Sequence, residues 1–210
     1  SNKLREVSTK FKEANVKATI LDLRYNAGGS LDCVQLLATI LVPSARMGTP
    51  MAYLEYNDKN IDKSTTIDFD QEVLKTGTNL NQNVLIVITS GTTAGAAEML
   101  LTSLYKKDQY PNIIVMGSAS KGQTVATEQF INETYRWSVN PVVCTVYNSD
   151  HVAGEEPFIL TPSDQFKISE TSIDGTTNYS QFLPFGDPKE RMLSLSLIHI
   201  SEPTRLLSIS

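Results

Sequence analysis

Three short turns hold the residue types that could do chemistry. Asn26-Ala27-Gly28-Gly29, Ser90-Gly91-Thr92-Thr93-Ala94-Gly95 and Ser118-Ala119-Ser120-Lys121-Gly122-Gln123 each follow an apolar run. Paired glycines can adopt backbone angles that aim N–H groups into a cleft, where they stabilise a developing negative oxygen. Gly28 and Gly29 therefore offer half of an oxyanion hole, and they serve equally well as a tight strand-to-helix turn. The G-x-G-x-x-G spacing of a dinucleotide site is absent from this turn. Gly95 and Ala96 open a helical stretch, whose first N–H groups favour an anion. Small residues there also permit close helix packing. A lysine is a general base only where its surroundings keep it unprotonated, so Lys121 is either a base or an ordinary surface cation. Gly91-Thr92-Thr93-Ala94-Gly95 reads G-x-T-x-G, the outline of a nucleophile elbow with Thr93 at its apex.

Regular elements must position these turns. Leu4, Val7 and Phe11 have helical spacing. Residues Lys17 to Arg24 then predict a buried strand, and Leu31 to Leu41 a helix. Met51 to Tyr56 is a short strand, and Lys59 to Asn83 reads as a polar surface excursion with one strand at most. Val84 to Thr89 is a continuous apolar run, as a strand covered on both faces requires. A helix over Ala94 to Lys107 and a strand over Asn112 to Gly117 follow. Strand–helix–strand order demands a crossover and a parallel pair. Thr124 to Phe130, Tyr135 to Val139 and Val142 to Tyr147 alternate as short antiparallel strands do. A last helix starts near Asp187-Pro188. In open α/β sheets, sites gather beyond the carboxyl ends of the strands, where all three turns lie.

Composition narrows the function classes. The chain has 210 residues and a net charge of -5, with a pI of about 5.1. It shows no dense Lys/Arg run, so the footprint of a nucleic-acid partner is missing. No apolar stretch is long enough to span a membrane. Cys33 and Cys144 sit among apolar neighbours and read as two buried free thiols. The two histidines do not pair with Cys or carboxylates at ligand spacing, so no metal and no cofactor is expected.

Taken together, the three turns resemble the catalytic core of the tail-specific, or C-terminal processing, serine peptidases. Ile20-Leu21-Asp22-Leu23-Arg24-Tyr25-Asn26-Ala27-Gly28-Gly29 is similar to that family's LDLRNNPGG. Val84 to Glu98 is similar to its apolar strand followed by TASASE, and Ile114-Val115-Met116-Gly117 with Gly122 to its strand and G-K turn. The resemblance covers about Ala18 to Gln129 and implies a ClpP/crotonase-like α/β fold: parallel strands with crossover helices, plus short antiparallel strands in the C-terminal half. It implies peptide-bond hydrolysis by a Ser–Lys dyad, with Gly28 or Gly29 and Ala96 supplying the oxyanion hole. A polypeptide substrate or ligand, held through its C-terminus, and a bacterial cell-envelope or periplasmic setting are further implications. An acyl-CoA enzyme of crotonase type shares the fold but not these motifs.

Two positions depart from the pattern. Counting back from Glu98 places the family's serine at Gly95, and counting forward from Gly117 places its lysine at Gln123. Lys121, two residues earlier, is the candidate displaced base, and Thr93 the alternative nucleophile. The expectation is a peptidase relative with a substituted dyad: inactive and peptide-binding, or active through a displaced pair. Residues 1–197 are expected to form a peptidase-like core truncated at its N-terminus, and residues 198–210 to be a non-native tail, which leaves His199 outside any catalytic argument.

Overall fold

A computed structural model describes residues 1–82, 84–105, 113–152, 160–168, 172–173, 176–177 and 183–201. Helix α1 (Asn2–Glu13) leads to strand β1 (Thr19–Asp22), helix α2 (Leu31–Leu41), β2 (Pro50–Tyr56) and β3 (Thr65–Asp68). Then come β4 (Leu85–Thr89), α3 (Ala96–Leu104), β5 (Ile113–Gly117), β6 (Val125–Thr127), β7 (Phe130–Asn132), β8 (Trp137–Val139) and β9 (Val142–Tyr147). A two-residue ladder, β10 (Ser172–Ile173) with β11 (Thr176–Thr177), precedes the last helix, α4 (Arg191–Ser201).

The centre is a three-stranded parallel sheet in the order β1-β4-β5. All five residues of β4 are buried, as its unbroken apolar run requires. Leu85 and Val87 pack on one face with α2 and α3, whereas Ile86 joins Met116 and Phe166 on the other face beneath α4. Burying side chains of this size stabilises the fold by about 1.5–3 kcal/mol each, which pins the strand and therefore the turns at its carboxyl end. Helix α2 starts where Ser30 caps it, its Oγ accepting the Cys33 N–H at 3.4 Å.

A second, antiparallel sheet runs β3-β2-β9-β6. Antiparallel strands in the C-terminal half were expected, but two of the four strands come from the first third of the chain. Asp68 to Thr65 pair with β2 across a region whose sequence reads as a polar excursion. The reason is burial: β3 reads exposed, exposed, half-buried, exposed, so little apolar patterning marks it. The stretch Thr124 to Phe130 is not one strand. It breaks between β6, which pairs with β9, and β7, which pairs with β8. Helix α3 ends at Leu104, short of the expected Lys107; residues 106–112 lie outside the described residues.

Helix α4 starts at Arg191, after a turn at Asp187-Pro188, and runs through Ser201. Ile200 packs against the Ile86–Met116–Phe166 cluster, and the His199 ring meets Phe166 edge-on at 4.9 Å. Residues 202–210 of the expected tail lie outside the described residues. Among the described residues, no helix is long and apolar enough to cross a membrane.

Candidate active site

The three turns are stitched to one another by hydrogen bonds to backbone carbonyls. Thr92 Oγ1 donates to Arg24 O at 2.8 Å and the Ala94 N–H donates to Asn26 O at 3.0 Å, which fixes the second turn on the first. Ser90 Oγ also donates to Arg24 O. The Lys121 N–H donates to Thr93 O at 3.0 Å, which fixes the third turn on the second. Gly117, at the end of β5, has φ +109°, and a Cβ there would strike Thr89 O. Only glycine lets these two strand ends lie so close.

A buried carboxylate completes the assembly. Glu98 is fully buried in the first turn of α3. Its Oε2 accepts the Gly95 N–H at 2.9 Å and the Gln123 N–H at 2.8 Å, and its Oε1 accepts the Gly122 N–H at 2.5 Å. One carboxylate thus satisfies a helix-start donor and two donors of the third turn, through charge-assisted bonds about twice as strong as neutral ones. In the sequence Glu98 has no expected role beyond aligning Gly95 with the family's serine. Its legible signal is an acidic residue three positions after the helix cap, half of a capping box.

Gly95 caps α3 with φ 56° and ψ -112°. This is the first corner of a type II′ turn, where residues with a Cβ are strained. A Cβ built on Gly95 would lie 3.4 Å from Gln123 Cδ and Nε2 and 3.5 Å from Oε1. The carboxamide of Gln123 therefore stands beside the position that a side chain at residue 95 would take. Gly29 comes equally close to the helix start: a Cβ on it would lie 3.4 Å from Ala96 Cβ.

Gly28, Gly29, Gly95, Ala96 and Gln123 line one cleft of about 350 Å³. Its walls include Val34 of α2, Leu54 of β2, Met99 of α3, Val125 of β6 and Val146 of β9. Both sheets thus contribute to it, and apolar side chains back the polar turn groups. The Gly28 N–H is turned into its own turn, donating to Asn26 Oδ1 at 3.2 Å.

The remaining two candidates lie apart from this cleft. Lys121 is exposed and is not among its lining residues. Thr93 is fully buried, with its Oγ1 donating to Leu23 O at 2.7 Å and accepting the Ser90 N–H at 3.0 Å. Its hydroxyl holds the second turn onto the end of β1. Among the described residues, no group of three or more His, Cys, Asp or Glu is arranged to hold a metal ion.

Arg24 has no role assigned by the sequence motif. Its guanidinium is 5% exposed and bridges Asp22 Oδ2 at 2.6 Å and Glu190 Oε1 at 3.2 Å. Glu190 Oε2 also accepts the Leu193 N–H at 2.9 Å, so it caps α4 while holding Arg24. The last helix is thereby tied to the strand end that carries the first turn.

A parallel α/β core, an antiparallel sheet beside it, and glycine turns converging on one cleft at a helix N-terminus together define the core of a serine-peptidase family. The family model that matches is that of peptidase family S41, over residues 1–156. The chain belongs to that family. A solved protein from Bacteroides fragilis described as an S41 protease is 36% identical, with a TM-score of 0.84; the match covers 97% of this chain and 49% of that one. This chain thus spans about half the length of that relative. A protein from Parabacteroides merdae described as a peptidase (18% identity, TM-score 0.57) is matched over 100% of this chain and 59% of its own. The photosystem II D1 C-terminal processing protease (18%, TM-score 0.54) is matched over 79% of this chain and 38% of its own. These last two share the fold. No curated protein matches the chain.

Proposed function

We propose that this chain is a peptide-binding member of the S41 family that does not hydrolyse peptides through a Ser–Lys dyad. The observation that carries the reading is the apposition of residues 95 and 123. A Cβ on Gly95 would stand 3.4 Å from the Gln123 carboxamide, so the two positions face each other as nucleophile and base would. Neither residue can perform its part. Glycine has no hydroxyl, and a carboxamide takes no proton near neutral pH. In a serine peptidase, removing nucleophile or base alone lowers kcat on the order of a million-fold.

The binding parts persist in this reading. The apolar walls of the cleft suit the side chains of an extended polypeptide. The N–H groups of Gly29 and Ala96 would face a peptide carbonyl or a terminal carboxylate. Lys121 and Thr93 are structural here: an exposed lysine outside the cleft and a buried hydroxyl engaged at both ends do not form a displaced dyad. Following the family resemblance, we place the protein in a bacterial cell envelope, which cell fractionation tests.

The decisive experiment compares the unmodified protein with a Gly95→Ser, Gln123→Lys variant on unfolded peptide substrates. The expected result is binding without cleavage by the former and measurable cleavage by the latter. Cleavage by the unmodified protein that disappears in Lys121→Ala or Thr93→Ala would overturn the reading in favour of a displaced dyad.

A further inference from the structure

Among the described residues, strand β6 is an open edge: it pairs there only with β9, with Val125 opposite Thr145 and Ala126 opposite Cys144. The Val146 N–H donates to Thr124 O at 2.8 Å, so Thr124 turns its backbone groups toward β9. In an antiparallel ladder the next residue turns its own groups the other way. Val125 therefore presents its N–H and C=O on the free side. Val125 also lines the cleft that contains Gly95 and Ala96. An extended polypeptide lying in that cleft has this edge to pair with, through main-chain hydrogen bonds.

The Val125 carbonyl is already taken. Gln123 Nε2 donates to it at 3.3 Å, curling back over two residues. The same carboxamide stands 3.4 Å from the place a residue-95 side chain would fill. One exposed, neutral side chain thus covers both the edge acceptor and the centre of the site. The side chain is otherwise solvent-facing, whereas the Gln123 backbone is held by Glu98 at 2.8 Å. Its amide can swing out while its main chain stays fixed.

We propose that Gln123 is a gate on the peptide site: its carboxamide caps the β6 edge and must leave Val125 before a polypeptide strand can pair there. This rests on the reading of the cleft as a peptide site. The gate selects for its occupant. An incoming segment displaces the carboxamide only if it brings a backbone N–H of its own to Val125, so proline or an N-methylated residue at that point is excluded.

Fluorescence anisotropy on the full chain tests the gate. The probe is a labelled, C-terminally amidated, disordered peptide of alternating Val and Thr, about ten residues long to span a typical strand. A second probe has its alternate backbone nitrogens methylated. The variants are Gln123→Ala, which removes the cap, and Gln123→Glu, which keeps the size but has no donor near neutral pH. Releasing one hydrogen bond predicts about threefold to tenfold tighter binding of the first probe by both variants, and weak binding of the methylated probe by all forms. Equal affinity for the unmodified protein and both variants overturns the gate while leaving the peptide site standing. Tightening by Gln123→Ala alone also overturns it, because bulk rather than the hydrogen bond is then the obstacle. Equal binding of the methylated probe refutes strand pairing. Absence of binding by every form overturns the peptide-site reading, and the gate with it.

Discussion

Glu98 and Gln123 are 25 residues apart in sequence, yet the Gln123 backbone N–H donates to Glu98 Oε2 at 2.8 Å. The same oxygen accepts the Gly95 N–H, and the other oxygen accepts that of Gly122. The geometry of the site is therefore set by a side chain that does not line the cleft. A Gln123 side chain can change identity without moving the turn, because the bond that places it belongs to the main chain.

Replacing Glu98 should accordingly disturb more than its own helix. Glu98→Ala leaves three N–H groups, that of Gly122 buried and the other two part-buried, without their acceptor, at about 1–3 kcal/mol for each donor that water cannot reach. We expect a loss of several kcal/mol, measured by urea unfolding. Glu98→Gln should lose less, because its amide oxygen still accepts while its NH₂ end faces a donor. Hydrogen exchange offers the local check: the Gly122 and Gln123 amides should lose protection before those of β4 do.

Arg24 is the second anchor to test. Its guanidinium is 5% exposed and Glu190 is 10% exposed, so their bridge at 3.2 Å is largely shielded from salt. Removing one partner of such a pair costs about 3–5 kcal/mol because the other charge is left buried. For Glu190→Ala the expected loss lies toward the lower end, since Asp22 still pairs with Arg24 at 2.6 Å. The loss should persist at high salt. A thermal melt in which the variant matches the parent protein would refute the anchoring role of α4.

How much of this was legible in the sequence follows burial. The strand over β4 reads directly, because every residue of Leu85 to Thr89 is buried and apolar patterning records that. Helix α2 reads to both its ends, Leu31 and Leu41, because the apolar spacing marks it. One strand was allowed within Lys59 to Asn83, but β3 could not be placed there, because its side chains are mostly exposed and its backbone ladder with β2 defines it. At the site, the glycine turns were visible as residue types. The closeness of Gly95 to Gln123 was visible only through the resemblance, since it depends on parallel pairing of β4 with β5. The reach of Glu98 to Gly122 and Gln123 depends on the same long-range pairing, and local spacing encodes only its bond to Gly95.

The cysteines should separate cleanly. Cys144 is buried, and burial pushes its thiol up from its ordinary value, with the Ala126 backbone and Tyr56 hydroxyl opposing this less strongly. Cys33 is half-buried on α2, not buried as the sequence suggested, and both are free. Thiolate is the reactive form, so a raised value slows alkylation across the neutral range. One thiol should react with a chromogenic disulfide reagent in the native protein and two after denaturation. Two fast thiols in native buffer would contradict the placement of Cys144.

Gly95 gives the sharpest test of how strain and chemistry divide. Its φ of 56° and ψ of -112° suit glycine, and any side chain there costs about 1–3 kcal/mol in backbone strain. Space is not the obstacle, because the built Cβ meets only the end of the flexible Gln123 side chain at 3.4 Å. Gly95→Ala and Gly95→Ser should therefore destabilise the protein by similar amounts in urea unfolding. Neither single variant should hydrolyse peptides, since Gln123 supplies no base. If Gly95→Ser is as stable as the parent protein, the turn has relaxed away from the strained corner. If it is much less stable than Gly95→Ala, the hydroxyl rather than the Cβ is the misfit. Equal losses, followed by gain of cleavage only when Gln123→Lys is added, would show that the backbone of the site is held in place by the fold and by Glu98, independently of the side chains that once-removed chemistry requires.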